Sequence, residues 1–179
     1  LLFQPLLLVS NQQPYGVEAF IRWQHPQLGP VSPAVFIPLA EEAGLMSSIT
    51  AWVYKEVRKM QNQLLEQQIQ LPISMNLSAQ DLENPALING MLQHEQKYPA
   101  AQRVKFELAE STLTPDSAAV QKSLQLLKQA GSTLVMDDFG AGQSMLTKLG
   151  NLPVTELKID MALLTMLDTH REQLLAGAI

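Results

Sequence analysis

Six apolar runs of four to seven residues, rich in β-branched types, recur along this 179-residue chain, and longer stretches with helical spacing separate most of them. No other feature constrains the fold as strongly. The runs fall at residues 3–9, 17–22, 73–77, 104–108, 133–136 and 156–159. They are near-continuously apolar, as strands covered on both faces are, and they predict a mainly parallel sheet with helices packed outside it. Six such strands fit either an open doubly wound sheet or three-quarters of an α/β barrel, whose full eight units typically take about 250 residues.

Helix punctuation lies between the runs. Ser32-Pro33 places a cap before a first-turn proline, and Gly44 is a stop signal. A second helix is predicted over 48–67, with Ile49, Trp52, Val53, Val57, Met60 and Leu64 at steps of three or four. Asn84-Pro85 opens another. Thr114-Pro115 opens one that shows Val120, Leu124 and Leu127 on one face and stops at Gly131. No glycine-rich phosphate loop follows the first strands, and Gly140-Ala141-Gly142 reads as a flexible turn.

Composition narrows the function classes. An apolar share of 46% supports one core and not several domains. The chain has no cysteine, which excludes a disulfide scaffold, an iron–sulfur site and a thiolate zinc site. A net charge of −5 argues against binding a nucleic-acid polymer through its phosphates. No apolar run approaches the roughly 18 residues that span a bilayer. Residues 1–5 read as the start of a strand and not as a signal peptide, so the expectation is a piece of a longer chain. His25, His94 and His170 read as surface residues, the eight methionines as fillers of core and helix faces, and Trp23 and Trp52 as packing anchors.

The chemistry lies in polar residues embedded in the apolar runs. Glu18 is in the second run, Asn76 in the third, Glu107 in the fourth, Asp137 and Asp138 close the fifth, and Lys158 is in the sixth. Taken singly, each has an ordinary explanation: a helix cap for either aspartate, a turn hydrogen bond for Asn76, a snorkelling side chain for Lys158. Burying one such group unpaired costs several kcal/mol, so the series at successive strands points to convergence at one rim. Converging carboxylates repel unless some are protonated or cations sit among them. An all-oxygen donor set favours hard divalent cations such as Mg2+ or Mn2+ over zinc. Adjacent Asp137 and Asp138 would let one residue bridge two ions while the other binds one, an arrangement suited to in-line displacement at phosphorus. Lys158 would orient the attacking water or offset charge on phosphoryl oxygens.

These residues sit in motifs that resemble one family. Glu18-Ala19-Phe20-Ile21-Arg22 resembles the signature of the EAL domain, the phosphodiesterase module for cyclic di-GMP. Residues 3–5 and 36–45, Met75-Asn76-Leu77-Ser78, Glu107-Leu108-Ala109-Glu110-Ser111, Asp137-Asp138-Phe139-Gly140-Ala141-Gly142 and Leu157-Lys158-Ile159-Asp160 follow the family's order over essentially the whole chain, 1–179. The resemblance implies a TIM-type barrel with an antiparallel first strand, of which this chain carries about six of eight strands. It implies that Glu18, Asn76, Glu107 and Asp137 bind one divalent cation and that Asp137 and Asp138 share a second, either Mg2+ or Mn2+. It further implies that Lys158 assists the nucleophilic water, that Glu110 shapes the loop from Asp138 to Ser144, and that Gln4 and Arg22 contact cyclic di-GMP. The implied reaction is hydrolysis to linear pGpG, in a cytoplasmic homodimer fused to an upstream diguanylate cyclase-like or sensory domain, possible also as the cytosolic part of a membrane-anchored regulator. Three departures stand out: Phe20 where the family has leucine, Gln143 and Met145 in the loop, and an end at Ile179 before the last two strands. They lead to the expectation that the fragment alone is inactive, and they keep open an alternative, a non-catalytic cyclic di-GMP sensor or interaction module.

Overall fold

In the computed structural model the described residues are 1–99, 102–113, 117–140 and 153–165. All six apolar runs form strands of one sheet. β1 (Leu2–Leu7) and β2 (Pro14–Phe20) pair antiparallel. β5 (Ile73–Asn76), β6 (Lys105–Ala109), β7 (Leu134–Phe139) and β8 (Glu156–Ile159) follow in parallel, giving the order β1-β2-β5-β6-β7-β8. The parallel pairs require crossovers, and helices supply them. α1 (Pro33–Glu42) and α2 (Met46–Glu66) lead from β2 to β5. α3 (Ala79–Leu82) and α4 (Pro85–Glu95) lead to β6, and α5 (Ala118–Gln129) leads to β7.

The core lies between the sheet and these helices. Ile73, Met75, Phe106, Leu108, Leu134 and Met136 of the strands are fully buried against Val57, Leu82, Ile88, Leu124 and Leu127 of the helices. Each such side chain contributes about 1.5–3 kcal/mol of transfer free energy. Local chemistry closes the helix ends. Asn84 Oδ1 accepts from the backbone N–H groups of Ala86 and Leu87, and Gly44 ends the α1 turn at φ +66°.

The structure differs from the sequence reading in five respects. A small hairpin of β3 (Trp23–His25) and β4 (Gly29–Val31) follows β2, and Arg22 lies outside the strand. Three-residue strands leave no period to detect. The His25 Nδ1 accepts from the backbone of Gln27 and Leu28 in the hairpin turn, so this histidine is a turn cap. α5 starts at Ala118 with Ser117 as its cap, while Thr114 and Pro115 lie outside the described residues, as does His170. Trp23 and Trp52 are 43% and 46% exposed and are not core anchors. The buried face of α2 is Thr50, Val53, Tyr54, Val57, Arg58 and Gln61, rotated from the purely apolar stripe because polar residues occupy half of it. Among the described residues no helix is long and apolar enough to cross a membrane.

Candidate metal centre

The strands place the polar residues by their two-residue period. Glu18 lies mid-strand in β2 and is 5% exposed, although it is charged. Glu107 pairs with Asn76 across β5/β6 and with Val135 across β6/β7. Asp137, two residues beyond Val135, therefore stands on the same face one step nearer the carboxyl end. Lys158 enters from β8. One carboxylate oxygen from each of Glu18, Glu107 and Asp137 lies within 4.8 Å of the other two. Lys158 Nζ donates to all three, at 2.8 Å to Glu18, 2.7 Å to Glu107 and 3.1 Å to Asp137. Asn76 Nδ2 reaches Glu18 Oε1 at 3.5 Å.

Charge is unbalanced here: three carboxylates face one ammonium. Burial pushes the Glu107 carboxyl above the usual carboxylate range; hydrogen bonds from Lys158 and Ser74 oppose this, and the Glu18 charge adds to it. Burial alone would lower Lys158, but its hydrogen bonds to Glu107 and Glu18 outweigh that and hold the ammonium above its ordinary value. The donor set is oxygen throughout and carries surplus negative charge, so it fits a hard divalent cation.

Asp138 sits beside this trio and not in it. It occupies an irregularity in the β7/β8 pairing with φ +56°, and its N–H donates to Asp137 Oδ1 at 2.9 Å. A left-handed residue in a bulge breaks the alternation that sends neighbouring side chains to opposite faces, and aspartate tolerates it better than bulkier types. Its carboxyl is raised by burial first, then by the charges of Asp137 and Asp160, while Lys158 lowers it. Glu110 opens a 3-10 turn (Glu110–Leu113) and accepts from the Gly140 N–H at 3.3 Å. Gly140 has φ +96°, and a Cβ there would meet Leu163 Cδ2 at 2.5 Å, so only glycine fits. Glu110 thus holds the first described residues after Asp138; Gln143, Ser144 and Met145 lie outside the described set.

Gln4 and Arg22 flank the cluster without joining it. Gln4 is exposed and pairs with Glu18 in the β1/β2 register. Arg22 is exposed, bonds the carbonyl of Ile21 at 2.8 Å and lies 5.5 Å from the Phe20 ring. Beside Arg22 and Asn76 runs an apolar cleft of about 150 Å³, next to one of about 470 Å³ walled by Trp23, Leu39 and Trp52. A larger groove of about 970 Å³, between α2 and α4, contains none of these residues. Two participants escaped the sequence reading. Ser74 is a buried hydroxyl two residues before Asn76 on β5, and its place on the strand period was the available signal. Asp160 acts on Asp138 through charge; it stood in the Leu157-Lys158-Ile159-Asp160 motif but was given no role of its own.

Comparison with known proteins follows the same pattern. The family described as EAL domain matches residues 1–179. A cyclic di-GMP phosphodiesterase of Pseudomonas aeruginosa is 36% identical over 163 residues, covering 90% of this chain and 28% of that protein. The oxygen sensor protein DosP of Escherichia coli is 36% identical over 162 residues, 89% of this chain and 20% of DosP. The chain therefore spans about a quarter of the length of the curated relatives it matches. Among solved structures, the phosphodiesterase MucR in complex with c-di-GMP superposes with a TM-score of 0.77 at 38% identity, over 93% of this chain and 68% of that one. The EAL domain of FimX from Pseudomonas aeruginosa, bound to c-di-GMP, gives 0.76 at 25% identity over 98% and 72%. These matches bear out a partial TIM-type barrel with an antiparallel first strand.

Proposed function

Because the chain belongs to the EAL domain family, we propose that its domain hydrolyses cyclic di-GMP to linear pGpG. The observation that carries this reading is the meeting of Glu18, Glu107 and Asp137 within 4.8 Å from three different strands. Glu18, Asn76, Glu107 and Asp137 would hold one divalent cation, and Asp137 with Asp138 a second. Bound Mg2+ or Mn2+ supplies Lewis-acid polarisation of the phosphoryl oxygen and a water acidic enough to ionise near neutral pH.

The chain's own groups do the rest. Lys158 keeps its proton on Nζ; its three donors go to Glu18, Glu107 and Asp137 here, and would turn to the attacking water and the developing phosphoryl charge once those carboxylates hold cations. Arg22 supplies a guanidinium fork for a substrate phosphate, and Gln4 supplies an amide on the neighbouring strand. Glu110 positions the residues after Asp138 through the Gly140 N–H. In the full-length protein the same reading includes a homodimer, an upstream diguanylate cyclase-like or sensory domain, and work on the cytoplasmic side, where the messenger is made.

The test is direct. Full-length protein incubated with Mg2+ or Mn2+ and cyclic di-GMP is expected to give pGpG by chromatography, and a Glu107→Gln variant is expected to give none. Absence of product at every metal concentration overturns the enzyme reading. Tight calorimetric binding of cyclic di-GMP without metal, together with no product, assigns the domain as a sensor instead.

A further inference from the structure

We propose that the groove between α2 and α4 is a second ligand site, specific for a small molecule bearing a phosphate or carboxylate, with the Nε/Nη2 edge of Arg58 as its anchor. Arg58 lines this groove of about 970 Å³, and its side chain is only 4% exposed. The guanidinium is used on one corner alone. Nη1 donates to Gln61 Oε1 and to the Gln102 carbonyl, both at 2.9 Å, and lies 3.5 Å from Glu95 Oε1. Nε and Nη2 are buried and have no hydrogen-bond partner among the described residues.

Those two nitrogens form the side-on fork of the guanidinium, two parallel N–H donors whose spacing matches two oxygens of a carboxylate or phosphate. Leaving one buried donor unsatisfied costs about 1–3 kcal/mol, and here the two lie on one edge of one group. Glu95 does not fill the fork. Its Oε1 accepts from Tyr54 at 2.6 Å and its Oε2 from the Val104 N–H at 2.9 Å. The flat face of the guanidinium is taken by Tyr98, whose ring centre is 3.5 Å from Cζ and which also lines the groove. Tyr98 follows the end of α4, in the connection to β6, so a shift of its ring admits a ligand without moving the sheet.

The surroundings favour an anion. Lys55 and Lys59 stand with Arg58 on the α2 wall; Glu56 is within 3.8 Å of Lys59, and Glu66 lies at the end of the helix. Small-molecule sites commonly enclose about 300–1,000 Å³, which includes this groove. The groove shares no lining residue with the carboxylate rim, so the two sites can be tested apart.

The experiment follows the side-chain Nε–H resonances of full-length protein labelled with 15N-arginine while inorganic phosphate, and separately acetate, is added. The Arg58 signal is identified by its loss in Arg58→Lys, or, should that variant not fold, by the ring-current shift it undergoes in Tyr98→Ala. A saturable downfield shift of this signal is expected. Tyr98→Ala, by emptying the space over the guanidinium face and giving the side chain room to turn its fork into the groove, is expected to tighten binding by about tenfold, equivalent to ~1.4 kcal/mol. A response to phosphate alone assigns a phosphorylated ligand, and a response to both probes assigns an oxyanion in general. No shift of the Arg58 signal with either probe, in the wild type and in Tyr98→Ala alike, overturns the proposal.

Discussion

Two buried ionic clusters in this molecule are unbalanced in opposite directions. At the strand rim, Glu18, Glu107 and Asp137 share the single ammonium of Lys158. Between α2 and α4, one carboxylate, Glu95, faces Arg58, whose Nε and Nη2 remain unpaired among the described residues. The rim has too many acceptors, and the helix pair has too many donors. The rim opens toward solvent with Lys158 30% exposed, whereas Arg58 and Glu95 are 4% and 1% exposed. The rim carries a surplus of charge, whereas Arg58 and Glu95 balance in charge and leave a surplus of buried donors; the first calls for cations, the second for an acceptor such as an oxyanion.

The sharpest way to break the comparison is to remove a carboxylate from each side. Glu95→Ala strands the Arg58 cation, orphans the Val104 N–H and leaves the Tyr54 hydroxyl with His94 alone, so urea unfolding should show a loss of about 3–5 kcal/mol. Glu107→Gln takes one charge from a cluster in which three carboxylates share one ammonium, and stability without metal should hold or rise. Adding Mn2+ to the wild type should raise stability by about 2.7 kcal/mol at roughly a hundred times Kd, and Glu107→Gln should abolish that gain. If Glu107→Gln destabilises as much as Glu95→Ala, the contrast between the clusters is wrong.

Smaller effects sharpen the picture. Gly140→Ala forces a Cβ against Leu163 at φ +96° and should cost about 1–2 kcal/mol or more in thermal unfolding. The smallest effect is a pH dependence in the helix cluster. The Tyr54 hydroxyl donates its hydrogen bond to Glu95, so the His94 Nδ1–H at 3.0 Å is the donor to the Tyr54 oxygen. Burial, then the charges of Lys97 and Arg58, hold the His94 imidazole below its ordinary value of 6.5. Its contribution is therefore complete above the unfolded-state pKa and is lost as pH falls below it. Urea midpoints should decline from about pH 7 to about pH 5 more steeply in the wild type than in His94→Gln. Equal slopes would remove His94 from the network.

The rim was legible because a charged residue inside an apolar run is conspicuous. Glu18, Asn76, Glu107 and Lys158 each interrupt a strand pattern, and they do meet. Asp138 was legible as a neighbour of Asp137, but its position beside the trio depends on a bulge with positive φ, which no residue pattern announces. The helix cluster was not legible. On a helix, Tyr54, Arg58 and Gln61 look like the solvated side, and the apolar stripe through Trp52 and Met60 looks like the buried one. His94 looked like a surface residue; the structure makes it a partly buried partner of Tyr54. Partners distant in the chain, Glu95 and the Gln102 carbonyl, join the nearby Gln61 in making burial of Arg58 tolerable.

The residue pattern alone therefore determined where the six strands of the main sheet lie, the parallel α/β architecture and the oxygen-rich character of the rim, because strand period and apolar continuity act locally along the chain. The tertiary structure decided which charges meet: that Lys158 sits among three carboxylates, that α2 turns a polar face inward, and that one edge of Arg58 is left over. Those outcomes depend on distances across elements, where a buried charge is stable or costly according to what stands within hydrogen-bond reach, and one-dimensional spacing carries no such distance.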